Sequence, residues 1–237
     1  KRLRPRAYKI QIIQALTPSG KVARTNFVVD KLERIDASPD FLRQVCFSDE
    51  ATFHVNGAVN RYNCRIWGSQ NPHVTCELET GSPKVNEWSS LMHDKFIGLL
   101  FFWEKTLTGR SYLDMLERYA LPQLPPQTIL QQDGAPPYFW QHVRNHLDRE
   151  VTGRWIGRGE PIAWPPRSSD FTPLDFLWGY LKNIVYQVTI NDLQHLKARI
   201  RDIAATVTPN MLQATWNEVE YRLDICRATK GAHIEIY

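Results

Sequence analysis

The chain has 237 residues, 43% hydrophobic and 23% charged, with a net charge of +4. That composition excludes collagen-like, low-complexity and disordered classes and suits one large domain, or one domain with a small appendage. No apolar run approaches the ~20 residues that span a bilayer, so no membrane partner is expected.

The opening KRLRPR lacks a following apolar segment of the signal-peptide kind. The cysteines at 46, 64, 76 and 226 form no CxxC pair, which argues for free thiols in a reducing compartment rather than a zinc knuckle. Residues 8–15 read as a short strand or extended linker. Ser19 and Gly20 read as a break, and 21–35 as a helix with Val28, Leu32 and Ile35 inward. Residues 44–55 alternate. Val45, Phe47, Asp49, Ala51, Phe53 and Val55 share one face, and Cys46, Ser48, Glu50, Thr52 and His54 share the other, polar one. Residues 57–83 read as a long loop with a possible strand near 61–67, and 84–91 and 96–103 as two more strands. A helix starts at Gly109 and ends at the prolines Pro122, Pro125 and Pro126. Thr128–Gln132 is a strand, and 138–149 a helix with Phe139, Val143 and Leu147 inward. The stretch 151–160 reads as a glycine-punctuated insertion, and 161–164 as a short strand. Thr172 and Pro173 look like the N-cap and first residue of a helix burying Leu174, Trp178, Leu181 and Val185. Two more helices follow Thr189 and Thr208-Pro209, the second stopped at Gly231. The order predicts an α/β domain with a mixed sheet.

Three acids stand at element ends or on a buried face: Asp49 on a strand, Asp133 just before Gly134 and the Pro136-Pro137 pair, and Asp175 in a first helical turn. A carboxylate on an apolar face is costly unless compensated. A metal ion would compensate Asp49; a strand-end position reaching water or an arginine would too. Asp175 can equally be a capping-box acid. Oxygen-only clusters suit magnesium or manganese. His142 and His146 have zinc-ligand spacing, but no intervening Glu supplies a base, and the pair reads as a surface helix.

CFSDEATF at 46–53, QQDGAPP at 131–137 and PPRSSDFTPLDFLW at 165–178 resemble, in order, the three signature blocks of mariner-like (Tc/mariner) transposases. The resemblance runs from about residue 40 to the end. It implies a ribonuclease-H-like fold with extra C-terminal helices, two Mg2+ or Mn2+ ions, and cleavage and transfer of double-stranded DNA at transposon ends and target. Matched block by block, the catalytic and metal-holding acids are Asp49, Asp133 and Asp175; Asp170 is the loop acid preceding the third. Tyr138 and Ser169 stand where relatives often carry His and Pro. The resemblance further implies a nuclear protein and a homodimer formed through a clamp at 57–83. Paired helix-turn-helix modules would normally lead. Residues 1–40 are therefore expected to be a linker and leading helix, the tail of a DNA-binding region, and 41–237 the catalytic domain. Lys1, Arg2, Arg4, Arg6, Arg154, Arg158, Arg167 and Lys182 are the expected phosphate contacts. The alternative is a catalytically inactive or host-recruited derivative that binds DNA or protein.

Overall fold

The computed structural model describes residues 15–57, 81–159 and 162–234. The basic residues Lys1, Arg2, Arg4 and Arg6, the segment 8–14 and most of the 57–83 loop lie outside that description, as do Cys64 and Cys76. Six strands form one sheet in the order β3-β2-β1-β4-β5-β6. Strand β1 (Val45–His54) pairs antiparallel with β2 (Lys84–Leu91), which pairs antiparallel with β3 (Phe96–Phe101). On its other side β1 pairs parallel with β4 (Ile129–Gln131), then β5 (Trp155–Gly157) and β6 (Ile162–Ala163) follow in parallel. The parallel half needs crossovers, and helices α2 (Gly109–Met115) and α3 (Gln141–Glu150) help supply them.

Helices cover both faces of the sheet. On one side Val45, Phe47, Ala51 and Phe53 pack with α1 (Pro18–Ala37), α4 (Leu174–Val185), α5 (Leu193–Ala204) and α6 (Pro209–Ala228). On the other, Cys46, Trp88, Leu130 and Trp155 pack with Tyr112 and Met115 of α2 and Val143 and Leu147 of α3. The supposedly polar face of β1 is therefore a second core. Cys46 and Ser48 are buried, and the Trp88 indole donates to Ser48 Oγ at 2.9 Å. Alternation of Cys, Ser and Thr with larger apolar residues looks half-exposed in sequence, yet those small side chains pack well once their hydroxyls are satisfied.

Several sequence expectations are corrected. Ser19 and Gly20 do not break the chain: α1 begins at Pro18, where Thr17 Oγ1 accepts the Gly20 amide at 3.1 Å. Its buried face carries Arg24 and Lys31 beside Val28. The 151–160 stretch is no mere insertion, because Trp155–Gly157 is an interior strand with Trp155 and Ile156 buried. Helix α3 starts at Gln141 rather than 138, which leaves Phe139 38% exposed instead of inward. The helix expected after Thr189 is α5, which begins at Leu193 and is capped by Asp192, whose side chain accepts from the His195 amide. Gly231 does stop the last helical segment: at φ 82° its amide returns to the Cys226 carbonyl at 2.9 Å. Among the described residues no helix is long and apolar enough to cross a membrane.

Candidate active site

The parallel pairing of β1 with β4 brings Phe47 level with Gln131. Asp49 and Asp133 each lie two residues further on, so Asp49, midway along β1, is level with Asp133 just beyond the end of β4. Asp49 points toward α4, where the Trp178 indole donates to its Oδ2 at 2.9 Å. Asp175 lies three residues before Trp178 on that helix, about one turn away on the same side. The three acids predicted from sequence therefore converge. Burial pushes the Asp49 carboxyl up to about 7, and the charges of Asp175 and Asp133 push the same way, against the Trp178 hydrogen bond. Asp133 is also raised by burial, although the Ala135 amide donates to its Oδ1 at 2.8 Å. That local turn follows from Gly134 and the Pro136-Pro137 pair, which end β4 abruptly.

Asp175 is exposed, and its cap is not the one expected. Helix α4 has Pro173 in the N-cap position with no side-chain cap bond, because a 3-10 turn over Ser169–Phe171 feeds directly into it. Thr172 contributes its carbonyl to the Asp175 amide at 3.3 Å, and its buried side chain does not close a capping box. The acid is thus not held there by reciprocal capping.

Three further charged residues, two of them acids, join the cluster. Glu50 leaves β1 on the opposite face, toward Tyr112; its carboxyl is raised well above the usual range by burial and then by Asp49 and Asp133, and Oε1 has no hydrogen-bond partner. Glu87 pairs across from Ala51 and is fully buried. Ser89 Oγ donates to its Oε1 at 2.5 Å, Oε2 has no partner, and burial again raises the carboxyl, with Asp49 adding to it. Sequence reading missed Glu87; a lone acid within a Val-Asn-Glu-Trp strand segment was the available signal. Lys182, expected on DNA, lies where Asp49 and Asp175 feel it: burial lowers its amine and those two carboxylates oppose the shift, while Nζ sits 5.3 Å over the Phe53 ring.

Of the other expected phosphate contacts, Arg158 lies beside the Asp133 turn and stacks 4.6 Å over Phe139. Arg154 donates to the Thr128 carbonyl and lines a different cleft with Glu117, His146 and Glu150. Arg167 donates to the Ala15 carbonyl. The structure does not bring these last two to the acids. His142 packs tilted against Trp140, and buried His146 faces Glu117, so among the described residues the histidine pair forms no zinc site. Asp170 belongs to a separate buried network: Arg24 holds both of its oxygens at 2.6 Å and also donates to Ser168 and to the Gly231 and Ala232 carbonyls.

The cluster's chemistry fits a divalent cation. Carboxylates raised by mutual charge and burial, with orphaned oxygens nearby and one partly compensating lysine, lack positive charge. Among the described residues, no three His, Cys, Asp or Glu side chains are yet close enough to chelate one ion, so ligation requires the acids to draw together.

A mixed sheet with acids on β1, just beyond β4 and on a facing helix defines a ribonuclease-H-like fold. The same fold occurs in the catalytic domain of Mos1 mariner transposase, with a TM-score of 0.73 at 16% identity over 94% of this chain and all of that one. The Mos1 transposase paired-end complex with left transposon end gives a TM-score of 0.80 at 16% identity, covering 98% of this chain and 68% of the other. In sequence, the Tc3 transposase of Caenorhabditis elegans is 24% identical over 245 aligned positions, covering 95% of this chain and 71% of that protein. No family model matches. The chain is thus similar in sequence to Tc3 transposase and shares its fold with Mos1 transposase.

Proposed function

We propose that the chain is the metal-dependent catalytic core of a DNA transposase, cleaving strands at transposon ends and transferring them into target DNA. The observation that supports this is that buried Asp49, on β1, feels the charges of Asp133, beyond β4, and Asp175, on α4, within a ribonuclease-H-like fold. Two magnesium or manganese ions held by these acids would activate the attacking oxygen and stabilise the leaving one. The protein's own groups prepare that chemistry. Trp178 fixes one oxygen of Asp49, the Ala135 amide fixes one oxygen of Asp133, and α4 presents Asp175 from a rigid helix. Lys182 supplies standing positive charge beside Asp49 and Asp175, where a scissile phosphate would arrive. Mos1 transposase has been solved as a strand transfer complex, and its catalytic domain with Mn and with Mg, which supports both the reaction and the metals.

The same reading makes residues 1–40 a linker and leading helix, 57–83 a clamp that pairs two copies, and the nucleus the site of action. The test is Mn2+-dependent nicking of supercoiled plasmid. Asp49→Asn, Asp133→Asn and Asp175→Asn should each abolish it, while Asp202→Asn, an exposed acid on α5, should not. Full nicking by any of the three would remove that acid from the site.

A further inference from the structure

We propose that Tyr112 is a positioning residue for the acid cluster: its phenol hydroxyl is a side-chain rung that ties β1 to the end of β4, one residue before Asp49 and Asp133. This rests on the reading of those acids as the cleaving centre. The backbone ladder between β1 and β4 ends at Phe47 and Gln131. The next level holds Ser48 and Gln132, and the level after that holds the two acids. The spacing of Asp49 and Asp133 is therefore set beyond the last ladder pair, by the contacts at the Ser48–Gln132 level.

Tyr112 makes those contacts. Successive residues of a strand alternate in face, so Ser48 and Gln132 point away from the acids, and Tyr112 of α2 reaches them from that side. Its hydroxyl donates to Gln132 Oε1 at 2.9 Å and interacts with Ser48, whose Oγ accepts from the Trp88 indole at 2.9 Å. One line of polar contacts thus runs from β2 through β1 and α2 to β4. Gln132 carries it onward. Its backbone amide donates to the Ile156 carbonyl of β5 at 2.9 Å, and its Nε2 reaches the Tyr138 carbonyl at 3.5 Å. The Tyr138 ring packs on that of Tyr112 with centroids 4.4 Å apart, and the Tyr138 amide donates back to the Ala135 carbonyl at 3.1 Å. That turn carries the Ala135 amide that holds Asp133 Oδ1. Tyr112, Gln132 and Tyr138 are all buried. A phenylalanine would fill the core as well as Tyr112, and a buried hydroxyl is costly unless it is hydrogen-bonded. What the hydroxyl adds is the link between the two acid-bearing strands.

The experiment compares Tyr112→Phe with Val143→Ala, which truncates the same core without removing a polar group. Hydrogen exchange in metal-free protein reads the turn directly. In Tyr112→Phe the Ala135 and Tyr138 amides should exchange roughly fivefold faster, the weight of one net hydrogen bond, beyond any change at the Val151 amide that closes α3. Mn2+ binding without DNA, followed by loss of the free-ion EPR signal, should weaken about tenfold, the low end for a residue that orients a metal ligand. Val143→Ala should lower Tm and leave Mn2+ affinity in place. Tyr112→Phe/Gln132→Leu removes the stranded amide, so Tm should recover while Mn2+ affinity stays weak. Unchanged exchange at Ala135 and Tyr138, an equal loss of Mn2+ affinity in Val143→Ala, or recovery of that affinity in the double variant would each overturn the rung. Faster exchange at the turn, with no Mn2+-dependent nicking by the parent protein, would uphold the rung and sink the catalytic reading.

Discussion

The Arg24–Asp170 pair offers the sharpest test of how the third sequence block is held. Both side chains are buried, at 0% and 1% exposure, and meet through two contacts of 2.6 Å. Asp170→Asn keeps the shape but leaves the Arg24 guanidinium buried without its counter-charge. Breaking such a pair costs about 3–5 kcal/mol, against a total stability of roughly 5–15 kcal/mol. For a chain of this size that is a fall of about 6–20 °C in Tm. Asn can still accept one hydrogen bond, and the carbonyls of Gly231 and Ala232 still receive Arg24, so the lower half of the range is expected. The assay is urea unfolding with thermal melting as a second probe. Arg24→Met should cost a comparable amount, by stranding Asp170, and the double variant should cost clearly less than the sum. Both single variants within about 1 kcal/mol of the parent, below the cost of an uncompensated buried charge, would refute the argument. Asp170 is therefore unsuitable as a silent control for Asp175, though the two lie five positions apart.

Asp49 makes stability pH-dependent. Its folded value of about 7 lies above the 3.8 of the unfolded chain, so its contribution is fully present below pH 4 and lost as pH rises through 7. Up to about 4 kcal/mol is at stake, and Glu50 and Glu87 act in the same direction. Melting in EDTA should show the decline, Mn2+ should flatten it, and a flat EDTA profile between pH 5 and 8 would contradict the burial of these acids. Asp175→Asn should leave Tm unchanged or slightly higher while nicking and the Mn2+-induced rise in Tm are lost, since no capping box depends on it; a clear loss of stability with nicking retained would return Asp175 to a purely helical role. Glu87→Gln keeps the acceptor for Ser89 and removes an ionisable group from a fully buried position, so it should stabilise the protein at pH 8 more than at pH 5. A uniform loss at both values would show that the carboxyl itself is needed.

Long periodic elements were legible in the sequence. Strand β1 differs by one residue at each end from the 44–55 reading, and Leu212, Trp216, Val219 and Leu223 all lie on the buried side of α6. Strand β5 was hidden because a three-residue strand ending in Gly157 carries no period; its pairing with β4 and β6 defines it. Which side of β1 carries Asp49 was legible from alternation. That the other side is equally buried was not, since Cys, Ser and Thr fit either a wet face or a tightly packed one. Buried charges were the main blind spot. Arg24 finds Asp170 across 146 positions, and nothing local distinguishes it from the exposed Lys21 three residues earlier. Of the site, the three acids could be named from the blocks, whereas Glu87 and the placement of Lys182 depend on strand register and helix packing.

Arg24 also bonds Gly231 across 207 positions, joining the first helix to the segment beyond the last. Closing a loop of that length costs about 5 kcal/mol in chain entropy. None of it is recovered until α6, the 167–172 turn and α1 are all in place. The fastening is therefore expected to form late in folding, after the rate-limiting step. Weakening it should hasten unfolding while leaving the folding rate almost untouched, so the contact acts as a latch on lifetime rather than a guide to the fold.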